Sequence, residues 1–142
     1  PSRAGADAPV RVLLAEDHPV NQRVVEAMLT GQPYVLTIVE NGAEAVEAVA
    51  GGAFDVVLMD MQMPVMDGLA ATRAIRAAEA ACTAEAGQPA RRLPILMLSA
   101  NAMPQHLEQA KDAGADQHVS KPVTPTTLLG ALEAAVGVRA VA

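Results

Sequence analysis

Short apolar runs that alternate five times with stretches of helical periodicity constrain this chain more than any other feature, because each run is about strand length and each intervening stretch about helix length. That alternation predicts an α/β domain whose parallel sheet is covered by helices on both faces. The first run, Val10 to Ala15, leads through Asp17-His18 to Pro19, which suits a first helical position. Val20, Val24, Met28 and Leu29 then form an apolar stripe, and Gly31 ends the helix. Val35 to Val39 reads as the second strand. Asn41 caps the next helix, with Val46 and Val49 facing inward and Gly51-Gly52 stopping it. Phe54 to Asp60 is the third strand. Beyond a turn at Asp67-Gly68, a third helix carries Leu69, Thr72, Ile75 and Arg76, and the polar, alanine-rich stretch from Glu79 to Arg92 reads as an extended loop. Ile95 to Ser99, a helix from Pro104 to Ala113 stopped by Gly114, and a short strand from Gln117 to Ser120 follow. Thr124 as cap, Pro125 at the first position and Leu128, Leu129, Leu132 and Val136 as the stripe define the last helix.

With 142 residues and 51% hydrophobic content, the chain fits one domain with a substantial core. Residues 10–137 form that domain in this reading, residues 1–9 a linker or tail resembling a cut from a longer protein, and residues 138–142 a C-terminal tail. The net charge of −6 and ten scattered basic residues argue against direct nucleic-acid binding. The apolar runs are far shorter than the ~20 residues of a membrane span, so no membrane insertion is expected. A single cysteine, Cys82, forms no internal disulfide and is compatible with a cytoplasmic location.

In open parallel sheets the ligand site lies beyond the carboxyl ends of the strands, where strand order reverses. Asp17, Asp60, Ser99 and Lys121 are all at or just past such ends, and Glu16 precedes Asp17. Clustered carboxylates repel one another unless a cation compensates them, and oxygen-only ligands favour a hard ion such as Mg2+, with Mn2+ a substitute. An aspartate beside such an ion and a lysine has the chemistry to accept a phosphoryl group. Met59, Met61, Met63 and Met66 read as core packing rather than a soft-metal site. Leu107 and Ala110 read as core, while His18 and His106 face water.

The set Glu16-Asp17, Asp60 with Met63-Pro64 and Asp67-Gly68, Ser99-Ala100, Ala113-Gly114-Ala115-Asp116 and Lys121-Pro122 resembles the receiver domains of two-component response regulators over about Val10 to Val136. The resemblance implies a flavodoxin-like (βα)5 fold, a doubly wound five-stranded sheet in the order 2-1-3-4-5. It implies Asp60 as phosphoacceptor, Mg2+ bound by Asp17, Asp60 and the Gln62 carbonyl with Glu16 acting through water, Lys121 paired with Asp60 or its phosphate, and a cis peptide at Pro122. Gln62 and Asn101 would flank the pocket. Ser99 stands where threonine is more frequent and keeps the hydroxyl. His118 stands where receivers usually place an inward-swinging aromatic, so output coupling is expected to be weakened or pH-sensitive. The segment Glu16 to Gln22 looks most like receivers of hybrid sensor histidine kinases, which implies a kinase domain and a histidine phosphotransfer domain as partners. A stand-alone single-domain regulator is the alternative. A haloacid dehalogenase-like phosphatase is disfavoured because Gln62 replaces the second aspartate that such enzymes use as general acid, and a flavin module because aromatic content is 1%. As an enzyme the domain would act only on its own phosphorylation and dephosphorylation.

Overall fold

The computed structural model describes residues 10–32, 34–51, 54–61, 63, 65–86, 93–99, 103–121 and 123–136, with 82–86 and 136 as backbone alone. Ten elements follow in strict alternation: β1 (Val10–Ala15), α1 (Pro19–Leu29), β2 (Tyr34–Val39), α2 (Gly42–Ala50), β3 (Val56–Asp60), α3 (Gly68–Ala86), β4 (Ile95–Ser99), α4 (Pro104–Ala113), β5 (Gln117–Ser120) and α5 (Pro125–Val136). The strands form one parallel sheet in the order β2-β1-β3-β4-β5. β1, β3 and β4 are buried on both faces apart from Arg11, which explains why they read as continuous apolar runs.

Two cores result, one on each face of the sheet. Val12, Leu14, Leu58, Leu96, Leu98 and Val119 meet Val25 and Leu29 of α1 and Leu128 and Leu132 of α5. On the other face Leu13, Val57, Met59, Ile95 and Met97 meet Ala45, Ala71, Ile75 and Ala110. Met59 and Met61 are buried, and Met63 and Met66 pack against the same cluster, as core filling rather than ligation. Leu128 and Leu132 are fully buried, and truncating either would cost about 2–5 kcal/mol.

Helix ends follow the chemistry of their residues. Asn41 Oδ1 accepts from Glu44 N at 2.8 Å, and Thr124 Oγ1 accepts from Thr127 N at 3.2 Å. Gly114 ends α4 at φ 111°, and a Cβ there would also meet Arg76 Cγ at 2.7 Å.

Several expectations need correction. From Glu79 to Ala86 the expected loop is helix, because alanine's high helix propensity carries the backbone on where periodicity is lost, and residues 87–92 lie outside the described residues. In α1 the buried stripe is Val25 and Leu29, while Val20 is 60% and Val24 38% exposed. Adjacent helical positions differ by ~100°, so an apolar residue one step off the stripe points elsewhere. Leu107 is exposed, and only Ala110 and Ala113 of α4 are buried. Val46 and Val49 are partly buried, with Ala45 the fully buried member of α2. β3 starts at Val56, one residue after Asp55, whose carboxylate accepts from Arg11 N of the neighbouring β1 at 2.9 Å. Gly52, the side chains of Cys82 and Val136, and segments 1–9 and 138–142 lie outside the described residues.

Thr72 is fully buried and its hydroxyl has no hydrogen-bond partner among the described residues. Thr72→Val keeps the shape and removes that desolvated group, so it should raise stability by about 1 kcal/mol, read as a higher urea midpoint with unchanged slope.

Candidate functional site

Register places the site. Ala15 lies beside Met59, Asp60 beside Leu98 and Ser99 beside Ser120, so β1, β3, β4 and β5 end level at one edge. Backbone bonds continue past those ends: Met61 N donates to Leu98 O at 2.8 Å and Lys121 N to Ser99 O at 2.8 Å. The chain leaving β3 then doubles back. Gly68 N donates to Met61 O at 3.0 Å, and a Cβ on Gly68 would lie 2.2 Å from the Asp60 carbonyl oxygen, so only glycine lets α3 begin so close to the site. Val65, at φ 67°, holds the loop in a left-handed conformation that a β-branched residue rarely adopts.

Glu16, Asp17 and Asp60 each offer a carboxylate oxygen within 4.8 Å of the others. Glu16 is 1% and Asp60 6% exposed, whereas Asp17 is open to solvent. Lys121 Nζ bridges the two buried acids, 2.9 Å from Glu16 Oε1 and 3.2 Å from Asp60 Oδ2. Glu16 Oε2 accepts from His18 N at 3.1 Å, and Gln22 Nε2 donates to Glu16 O at 2.6 Å, so α1 fixes Glu16 from the other side. Ser99 is buried at the end of β4. A cleft of about 380 Å3 lined by Glu16, Asn21, Val24, Val25 and Lys121 opens beside this group.

Burial raises the Glu16 carboxyl, but the Lys121 ammonium and the His18 N–H outweigh it, and the net pKa falls below 4.5. Burial likewise lowers Lys121, but the hydrogen bond to Glu16 and the charge of Asp60 outweigh it and raise the net pKa above 10.5. The pair therefore stabilises the fold between these limits. Glu16's share is lost as acid brings the pH below 4.5 towards its folded value, and Lys121's as the pH rises above 10.5.

Three carboxylates against one ammonium leave excess negative charge, and a set of oxygen donors at this spacing fits a hard divalent cation. Of the residues expected from sequence, the structure brings together Glu16, Asp17, Asp60 and Lys121, with Ser99 at the adjoining strand end. His118 is elsewhere, on the sheet face beneath α4. Gln62, Pro64, Ala100, Asn101 and Pro122 lie outside the described residues, and with them the expected carbonyl ligand and peptide isomer. Sequence reasoning missed the roles of His18 and Gln22, whose backbone and amide groups orient Glu16.

Acids and a lysine at the carboxyl edge of a doubly wound 2-1-3-4-5 sheet define a class of α/β domains with a polar site at the topological switch point. The model of the response regulator receiver domain matches residues 12–133, and the chain belongs to that family. It is 42% identical over 118 residues to the sensor protein GacS of Pseudomonas syringae pv. syringae, covering 83% of this chain and 12% of that protein. The chain thus spans a small part of the curated relatives it matches. It is similar to the receiver domain of sensor histidine kinase PA1611 from Pseudomonas aeruginosa, solved with a magnesium ion in its active-site cleft (TM-score 0.78, 39% identity, 92% of this chain and 99% of that one). It also resembles a chain in the co-crystal of the Saccharomyces cerevisiae phosphotransfer protein Ypd1 with the receiver domain of Ssk1 (TM-score 0.81, 25% identity, 89% and 88%). No helix among the described residues is long and apolar enough to cross a membrane.

Two outcomes follow from the charge balance. Asp17→Asn should raise the metal-free melting temperature, by relieving a repulsion worth about 1 kcal/mol in water, and should abolish any rise on adding Mg2+. Lys121→Met, which strands two buried carboxylates, should cost about 3 kcal/mol at neutral pH. Unpaired acids bind protons more tightly when folded, so its stability should rise on acidification towards pH 4.5, the reverse of the native chain, as read by urea titration across pH.

Proposed function

We propose that this domain accepts a phosphoryl group on Asp60 from a kinase phosphohistidine and passes it on in a phosphorelay. The observation that carries this reading is the placement of Asp60, a nearly buried carboxylate held by Lys121 inside the same 4.8 Å acidic cluster as Glu16 and Asp17. The carboxylates and Lys121 are the groups such a transfer uses. One Asp60 oxygen attacks phosphorus, the P–N bond to the donor imidazole breaks, and the imidazole keeps the electron pair. Asp17, Asp60 and the Gln62 carbonyl would hold Mg2+, with Glu16 acting through water, and Mn2+ would fit the same oxygens. When bound, the ion supplies positive charge against the phosphoryl oxygens.

Lys121 is already within 3.2 Å of Asp60, and it transfers its hydrogen bond from the carboxylate to the new phosphoryl oxygens. The Ser99 hydroxyl supplies a second donor from β4. The added charge of roughly −1.5 to −2 draws both inward and reorganises the loops that carry them. A hybrid histidine kinase in the cytoplasm is the parent this reading favours, supported by the likeness to GacS and to the PA1611 receiver. Likeness to the Ypd1 co-crystal supports a histidine phosphotransfer domain as the acceptor.

Intact mass after incubation with Mg2+ and phosphoramidate tests the reading. One phosphoryl adduct should form, require the ion, and be absent from Asp60→Asn; an adduct that survives in the variant, or none in a folded native chain, overturns it.

A further inference from the structure

Two of the chain's three histidines lie near one another on the face of the sheet opposite α1 and α5. Strand alternation sends Val119 into the core beneath α1 and α5 and turns His118 to the other side, under α4. There His118 lines a cleft of about 460 Å3 with Leu107, Ala110, Lys111, Asp116 and Gln117. His118 Nε2 and His106 Nδ1, the latter one turn before Ala110, are both buried, and neither has a hydrogen-bond partner among the described residues. A neutral ring tolerates an unpaired lone pair there. A protonated His118 ring would carry a buried N–H and a positive charge with no acceptor for that N–H among the described residues.

Among the described residues little compensates that charge. On α4, Lys111 adds positive charge to the cleft, while Glu108 and Asp112 are exposed. Asp116, before β5, is engaged by Arg76 Nη2 of α3 at 2.7 Å and by Ile95 N at 2.9 Å, and Arg76 also pairs with Glu79. From β4 the register neighbour is Met97, which is apolar. Lys121 is turned to Glu16 and Asp60. Burial first, and then the field of His106, pushes the His118 pKa below 6.5.

The helix above is lightly held. Only Ala110 and Ala113 of α4 are buried, and Met103 and Leu107 are exposed, so little apolar surface opposes its release. We propose that His118 forms a proton-operated latch beneath α4: while its ring is neutral α4 stays closed on β5, and proton uptake from solvent frees it. The latch works without phosphate or a metal ion, so its failure and that of the phosphoacceptor reading are separate results.

The closed form binds fewer protons than the open one. Docking is therefore complete above pH 6.5 and weakens below it, by up to about tenfold per pH unit for one proton. Hydrogen exchange of the α4 amides, corrected for intrinsic rates, tests this in the unphosphorylated, metal-free chain. Between about pH 7.5 and about pH 5.5, protection of α4 should fall roughly tenfold while that of β3 and α5 holds, and His118→Phe should reduce the fall to under about twofold. His106→Gln should move the His118 titration, followed by NMR of its ring, back towards 6.5. The latch is overturned by an equal fall in native and His118→Phe chains, or by a native His118 that titrates at or above 6.5.

Discussion

One ammonium group reconciles the carboxyl edge of this sheet with itself. Lys121 spans from the end of β5 to Glu16 beyond β1 and Asp60 at the end of β3, and without it two nearly buried carboxylates would face each other and the open Asp17. Unit charges 4 Å apart interact by about 1 kcal/mol in water and about 4 kcal/mol at an effective dielectric of 20, so the cluster's cost depends on how far each acid is withdrawn from solvent. Leaving Asp17 exposed keeps that cost low. Leaving one acid more than the lysine can neutralise keeps the edge receptive to a divalent cation. The 2-1-3-4-5 order makes this reach possible, because β1 and β3 are neighbours and only β4 separates β3 from β5.

How much of this was legible in the sequence depends on whether a local rule decided the outcome. Strand ends were readable because strands buried on both faces leave little room for polar residues, so the first acid or hydroxyl marks the edge. Caps at Asn41 and Thr124 and the stop at Gly114 were readable because few residue types satisfy those positions. The topology rule placed the acids and the lysine at one edge, and the register sets Asp60 beside Leu98 and Ser99 beside Ser120, the residue before Lys121. What failed was phase and propensity. In α1 five large apolar residues compete for one stripe, and only packing chooses Val25 over Val24. In α3 the alanines after Glu79 give no amphipathic signal, yet the backbone remains helical. Leu107 is apolar and exposed because α4 meets the sheet through its alanines. The nearness of His106 to His118 could not be read at all: the residues are on different elements, and nothing in their spacing says that the helix imidazole will stand close enough for its charge to act on the strand imidazole.

The helices differ in how firmly the sheet holds them. Beneath α5, Leu128 and Leu132 are fully buried, and beneath α1, Val25 and Leu29 are close to it. On the other side α4 buries only small side chains, and His118 Nε2 in its cleft has no hydrogen-bond partner among the described residues. A perturbation at the carboxyl edge reaches both sides through the strands, but elements of low local stability respond first. Ser99 ends β4 directly before the segment that leads into α4, and Lys121 follows β5, against which α4 rests. A phosphoryl group on Asp60 would compete for the Ser99 hydroxyl and the Lys121 ammonium, pulling on the two chain segments that flank the least anchored helix. Its effect on α4 need only exceed the burial of two alanines. The firmly packed helices keep the acidic cluster in register while α4 moves, and the His118 imidazole beneath it adds the proton to the influences that set where α4 rests.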